Sequence, residues 1–90
     1  MTDHPNTFHL IIASVGETRF DGAAVSATFP GAAGEFTVLP RHEPLVTTLR
    51  RGTITVRLSS QAGESQGDQK SFDVESGVLE CTGNRVVVLL

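Results

Sequence analysis

Cys81, His42 and a carboxylate such as Glu43 or Asp73 are the side chains from which this ninety-residue chain could assemble a nucleophile, a general base and an orienting group. Their surroundings argue against it. Cys81 lies in the alternating run Leu79-Glu80-Cys81-Thr82, with no glycine elbow and no basic neighbour to lower its pKa. It reads as a small buried hydrophobe rather than an attacking thiolate. As the only cysteine, it excludes an internal disulfide and any multi-cysteine metal site. His4, His9 and His42 do not suggest a metal centre, because no pair of them has a close ligand spacing and the nearest two straddle a proline. The run from Gly31 through Gly34 and Glu35 to Phe36 lacks the lysine and the following helix of a phosphate-binding loop. An enzyme is not expected, and neither is a cofactor.

Composition removes further classes. The net charge is −3, the one adjacent basic pair is Arg50-Arg51, and there is no Trp or Tyr beside five scattered Phe. A nucleic-acid surface would need a clustered basic face and aromatic platforms. The hydrophobic fraction is 39%, and no apolar run approaches the roughly 20 residues of a membrane-spanning helix. Direct membrane insertion is therefore not expected. The N-terminus shows no basic start, long apolar segment or small-residue cleavage site, so the default expectation is a cytoplasmic location.

What remains is interaction, and the stretch Phe29 to Leu45 is where the backbone is most constrained. It holds Pro30, Pro40 and Pro44, three of the four prolines, together with Gly31, Gly34 and His42. Proline fixes φ, glycine opens conformations closed to other residues, and shaped loops on rigid scaffolds often bind. On the residues alone, a binding loop and a plain connection between two strands are equally supported.

The elements that must hold this stretch have a period of two. Residues 7–14 predict a strand with Phe8, Leu10 and Ile12 on one face and His9 on the other. Val15 to Glu17 reads as a turn, Thr18 to Phe20 as a short extended piece, and Asp21-Gly22 as a second turn. Ala23, Val25, Ala27 and Phe29 then share one face of a strand, Pro30-Gly31 turns, and Glu35 to Leu39 is extended again. Leu45 to Leu49 and Gly52 to Leu58 alternate, and Ser59 to Lys70 is a polar exposed loop. Phe72, Val74 and Ser76 continue the alternation to Gly77, a place for a bulge or tight crossing, and the strands at Val78 to Thr82 and Arg85 to Leu90 flank a reversal at Gly83-Asn84. No segment has a 3.6-residue apolar period. The expectation is all-β: one domain spanning residues 1–90, folded as an antiparallel β-sandwich or flattened barrel of about ten strands.

The order of these pieces is specific. An N-terminal F-H-L-x-I-x-S strand, then F-D-G followed by P-G-x-x-G-E-F, then L-P-x-H-x-P-L, and later F-D-V-x-x-G-V-L-E and N-R-V-V-V-L-L, closely resembles the epsilon subunit of F-type ATP synthases over Phe8 to Leu90. The resemblance implies a ten-stranded β-sandwich in a non-catalytic rotor subunit of the central stalk, peripheral on the cytoplasmic face of the inner (plasma) membrane. Its implied partners are the gamma subunit and the c-ring, through which ion-driven rotation is coupled to ATP synthesis. Carried over by motif, Gly31, Gly34, Glu35 and Phe36 form the loop facing the c-ring, with Glu35 its acidic position. Pro40, Arg41, His42, Glu43, Pro44 and Leu45 form the loop facing gamma. Arg41 stands where the family has a glycine, so either that backbone position is not left-handed here or the loop is remodelled. Full-size relatives continue into a helical hairpin, which is not expected in a sequence that stops at Leu90, so coupling without self-inhibition is the implied role. The reading that competes is a free-standing small β-sandwich that binds a peptide or saccharide.

Overall fold

The computed structural model describes residues 6–58 and 69–90. Among them are nine strands and no helix: β1 (Phe8–Ser14), β2 (Glu17–Ala24), β3 (Ser26–Gly31), β4 (Gly34–Val38), β5 (Leu45–Leu49), β6 (Gly52–Arg57), β7 (Gln69–Val74), β8 (Gly77–Thr82) and β9 (Arg85–Leu89). They form one curled sheet in the order β2-β1-β9-β8-β5-β3-β6-β7, with β4 paired to β3 outside that path. The predicted loop Ser59 to Lys70 lies outside the described residues except for Gln69 and Lys70, which already belong to β7. His4 lies outside them as well.

The all-β expectation holds, with one pairing that alternation could not reveal. β1 and β9 run parallel, His9 opposite Arg85 through Ala13 opposite Leu89, while every other strand pair among the described residues is antiparallel. Curling turns one face of the sheet inward. Leu10 and Ile12, Phe29, Ile54 and Val56, Leu79, and Val86 and Val88 meet there, each fully buried. The outer face carries polar side chains but also Val46 at 70% exposure, Val78, and Leu89 at 57%. Val78 lies opposite Leu89 in the β8–β9 pair, whereas Val46 lies opposite Glu80 of β8.

Two local readings are corrected. Asp21-Gly22 is not a turn: both residues lie inside β2, opposite Ile11 and Leu10 of β1. Pairing to a long partner strand overrides the turn preference of the dipeptide. Nor do Ala23 to Phe29 form one strand. The chain bends at Val25, which shifts the side-chain phase, so Ala24 rather than Ala23 is buried before the bend, and Ala27 and Phe29 after it. The Val25 N–H donates to the Arg57 carbonyl at 2.8 Å, fastening the corner to β6. At the other end of β3, Pro30 sits where the neighbour changes from β6 to β5. Its carbonyl accepts the Arg50 N–H at 2.9 Å, and, having no N–H, it leaves no donor orphaned at that step.

Candidate functional site

The first of the two predicted loops is a hairpin. β3 and β4 pair from Ala27 opposite Val38 to Gly31 opposite Gly34, so the tip is Ala32-Ala33 rather than Pro30-Gly31. Gly31 is buried, and a Cβ on it would lie 2.7 Å from the Gly34 carbonyl oxygen and 2.8 Å from the Phe36 ring. Its role is close packing, which leaves the ring of Phe36 free to stack on Phe29 with centroids 5.6 Å apart. Gly34 instead meets the second requirement for glycine, a φ of +139°. Glu35 is exposed at the start of β4, opposite Pro30 and two residues beyond the tip.

The second loop crosses from β4 to β5. Arg41 has a φ of +63°, so the position where the resembled family has glycine is left-handed here, and an arginine occupies it. Its backbone N–H donates to Asn84 Oδ1 at 2.7 Å. His42 Nδ1 donates to the Glu43 carbonyl oxygen at 2.7 Å, which places a ring proton on Nδ1. Glu43 and Pro44 are exposed, Pro40 and Leu45 half-buried. Beneath this loop lies Cys81, directly opposite Leu45 in the β5–β8 pair and with its Sγ 4.0 Å from the His42 carbonyl. Burial raises its thiol pKa above the ordinary range, in keeping with an inert, space-filling role.

β4 and β5 each pair with β3 and not with each other, and residues of both line an open groove of about 370 Å³ formed by Ala33, Gly34, Glu35, Phe36, His42, Leu45 and Thr47. Residues expected on two separate faces therefore share one: Gly34, Glu35 and Phe36 from the hairpin, His42 and Leu45 from the crossing loop. Gly31 is sealed behind Phe36, and Arg41 and Glu43 are not among the lining residues. The lining is mostly apolar, with a carboxylate and an imidazole. It suits the docking of a side chain or backbone segment. Among the described residues, no group of three or more His, Cys, Asp or Glu side chains could hold a metal ion.

The sequence model of the ATP synthase, Delta/Epsilon chain, beta-sandwich domain family matches residues 7–90. The chain belongs to that family. Among curated relatives, the ATP synthase epsilon chain of Polaromonas naphthalenivorans (strain CJ2) is 36% identical over 84 residues, covering 93% of this chain and 56% of the relative. That of Bordetella parapertussis is 35% identical over 83 residues, with 92% and 55% coverage. The chain thus spans about half the length of the curated relatives it matches. The fold is shared with a chain in the Euglena gracilis mitochondrial ATP synthase at a TM-score of 0.81 and 20% identity, covering 98% of this chain and 52% of that one. A chain in the central stalk and c-ring structure of the Tetrahymena thermophila mitochondrial ATP synthase gives a TM-score of 0.68 at 10% identity, with 90% and 60% coverage.

Within this delta/epsilon β-sandwich, one contributor to the site escaped the sequence reading. Asn84 was legible only as half of a reversal, Gly83-Asn84, and Gly83 does take the left-handed φ of +59°. Nothing in a G-N dipeptide signals that the asparagine amide is spent on a loop 43 residues away.

Proposed function

We propose that this chain is a non-catalytic central-stalk subunit of a rotary ATP synthase, a peripheral component on the cytoplasmic face of the membrane. In this reading it passes ion-driven rotation of the c-ring to the catalytic head, through gamma. The match of residues 7–90 to the delta/epsilon β-sandwich family, together with curated relatives named as epsilon chains, is the observation that carries the proposal. The geometry supports the same reading. Glu35 stands exposed beside the hairpin tip as the group that meets the polar loops of the c-ring, where a carboxylate gives register and orientation more than affinity. His42 and Leu45, framed by Pro40 and Pro44, form the gamma contact, and little loop entropy is lost when a proline-framed segment docks. The shared groove makes the two contacts neighbours. The exposed apolar side chains Val46, Val78 and Leu89 on the outer face also suit a chain that works inside an assembly. No helix among the described residues is long and apolar enough to cross a membrane.

The test is direct. Mixed with its cognate gamma subunit, the chain should co-elute as a stable complex on size exclusion, and adding it to an enzyme stripped of it should restore ion-driven ATP synthesis. A chain that stays free of gamma, and leaves synthesis unchanged, defeats the proposal and favours a free-standing binding module.

A further inference from the structure

Three segments distant in sequence meet at Asn84. Its Oδ1 accepts the Arg41 N–H at 2.7 Å, its Nδ2 donates to the Thr7 carbonyl, and its own carbonyl accepts the His9 N–H at 2.9 Å. Arg41 is the non-glycine residue with positive φ among those described, and a left-handed backbone is unfavourable for any residue with a Cβ. A fixed acceptor on its N–H selects that conformation. The next residue is His42, whose Nδ1 donates to the Glu43 carbonyl and whose ring lines the groove. We propose that Asn84 is a positioning residue of the His42 loop. It locks Arg41 left-handed and thereby sets the imidazole for docking, and through Thr7 and His9 it ties that setting to the seating of β1. The partner side of this inference rests on the proposed contact between His42 and gamma. The clamp itself does not.

The arrangement separates two functions of one amide. Asn84→Asp keeps an oxygen for the Arg41 N–H and removes the donor to Thr7, whereas Asn84→Ala removes both. Asn84 is exposed, so either change should leave the core folded. Amide exchange of the full chain, read by NMR, follows the clamp at Arg41, with the buried strand residues Leu79 and Val88 as internal controls. Asn84→Ala should speed exchange at Arg41 about three- to tenfold, the range of a single net hydrogen bond, and shift the His42 ring nitrogen resonances. Asn84→Asp should keep Arg41 slow. Affinity for the cognate gamma subunit should fall by a similar factor in Asn84→Ala. Adding Arg41→Gly, which makes the left-handed conformation free of strain, should recover part of it.

Unchanged Arg41 exchange in Asn84→Ala overturns the clamp. Faster exchange with wild-type affinity overturns its link to docking. If the wild-type chain does not bind gamma at all, the functional reading falls, and exchange at Arg41 still upholds or overturns the clamp by itself.

Discussion

Phe20 of β2 and Phe72 of β7 meet edge to face with ring centroids 5.9 Å apart, although the strands that carry them are the two ends of the sheet. The curl is therefore closed by side chains where no backbone ladder joins the edges. Both rings are half-buried and pack against the core. Phe72→Ala should cost about 2–3 kcal/mol, somewhat less than truncation of a fully buried phenylalanine. The double variant with Phe20→Ala should be less destabilised than the sum by about 0.5–1.5 kcal/mol, the coupling of an aromatic pair. Urea unfolding of the four proteins measures both quantities, and strictly additive losses would show that the rings close nothing.

How much of this was legible follows from which interactions are local. The faces of β1, β6, β8 and β9 could be read because alternation is written in adjacent residues: Leu10 and Ile12, Ile54 and Val56, Leu79 and Cys81, Val86 and Val88 are buried as it requires. Asp21-Gly22 misled because its turn preference is local while the pairing with Leu10 and Ile11 that overrides it is not. The bend at Val25 and the parallel β1–β9 pair are likewise properties of partners. For the site, motif resemblance supplied Glu35 and His42. It did not supply their common groove, which is lined by β4 and β5 together although each pairs with β3 and not with the other.

Gly31 and Gly34 belong to one hairpin but should fail differently. Alanine at 31 forces a Cβ to 2.7 Å from the Gly34 carbonyl and into the Phe36 ring. About 1–3 kcal/mol of destabilisation is expected, as for other overpacked sites, together with displacement of Phe36 from Phe29. Alanine at 34 meets nothing within 4 Å, yet must adopt a φ of +139°. It should cost about 1–3 kcal/mol through backbone strain, without disturbing the rings. Thermal unfolding gives the costs, and aromatic ring-current shifts on neighbouring methyl groups tell the two mechanisms apart. Equal ring perturbation in both variants would contradict the assignment.

Cys81 predicts a pH dependence with a definite sign. Burial holds its folded pKa above the ordinary thiol value, so the folded chain keeps a proton that the unfolded chain releases. This contribution is fully present below the unfolded pKa, at about 8.5 for a free thiol, and is lost as pH rises through the folded value. Stability should fall above about pH 8.5, and Cys81→Ala or Cys81→Val should flatten that fall while changing the neutral-pH stability through packing. Urea unfolding between neutral and alkaline pH checks it. The same burial predicts slow alkylation of the native thiol, limited by opening of the structure. Alkylation at the rate of a free thiol would place Cys81 at the surface.

Glu35 offers the sharpest separation of fold from function. It is exposed, lies opposite Pro30 across the β3–β4 pair, and among the described residues is joined to no ion pair, so Glu35→Lys reverses a charge without uncovering a buried group. Stability should change by no more than about 0.5 kcal/mol, the usual range for a surface substitution. Assembly with the c-ring should nonetheless weaken, most at low ionic strength, because the screening length shrinks from about 30 Å at 0.01 M salt to about 10 Å at 0.1 M. Binding of the gamma complex to c-ring proteoliposomes, compared at two salt concentrations, reads this out, with thermal unfolding as the control. Glu35→Gln should fall between wild type and Glu35→Lys. Loss of folding would make Glu35 structural, and equal binding by all three proteins would remove it from the interface. A salt-sensitive loss graded with charge, at constant stability, is what an electrostatic contact requires.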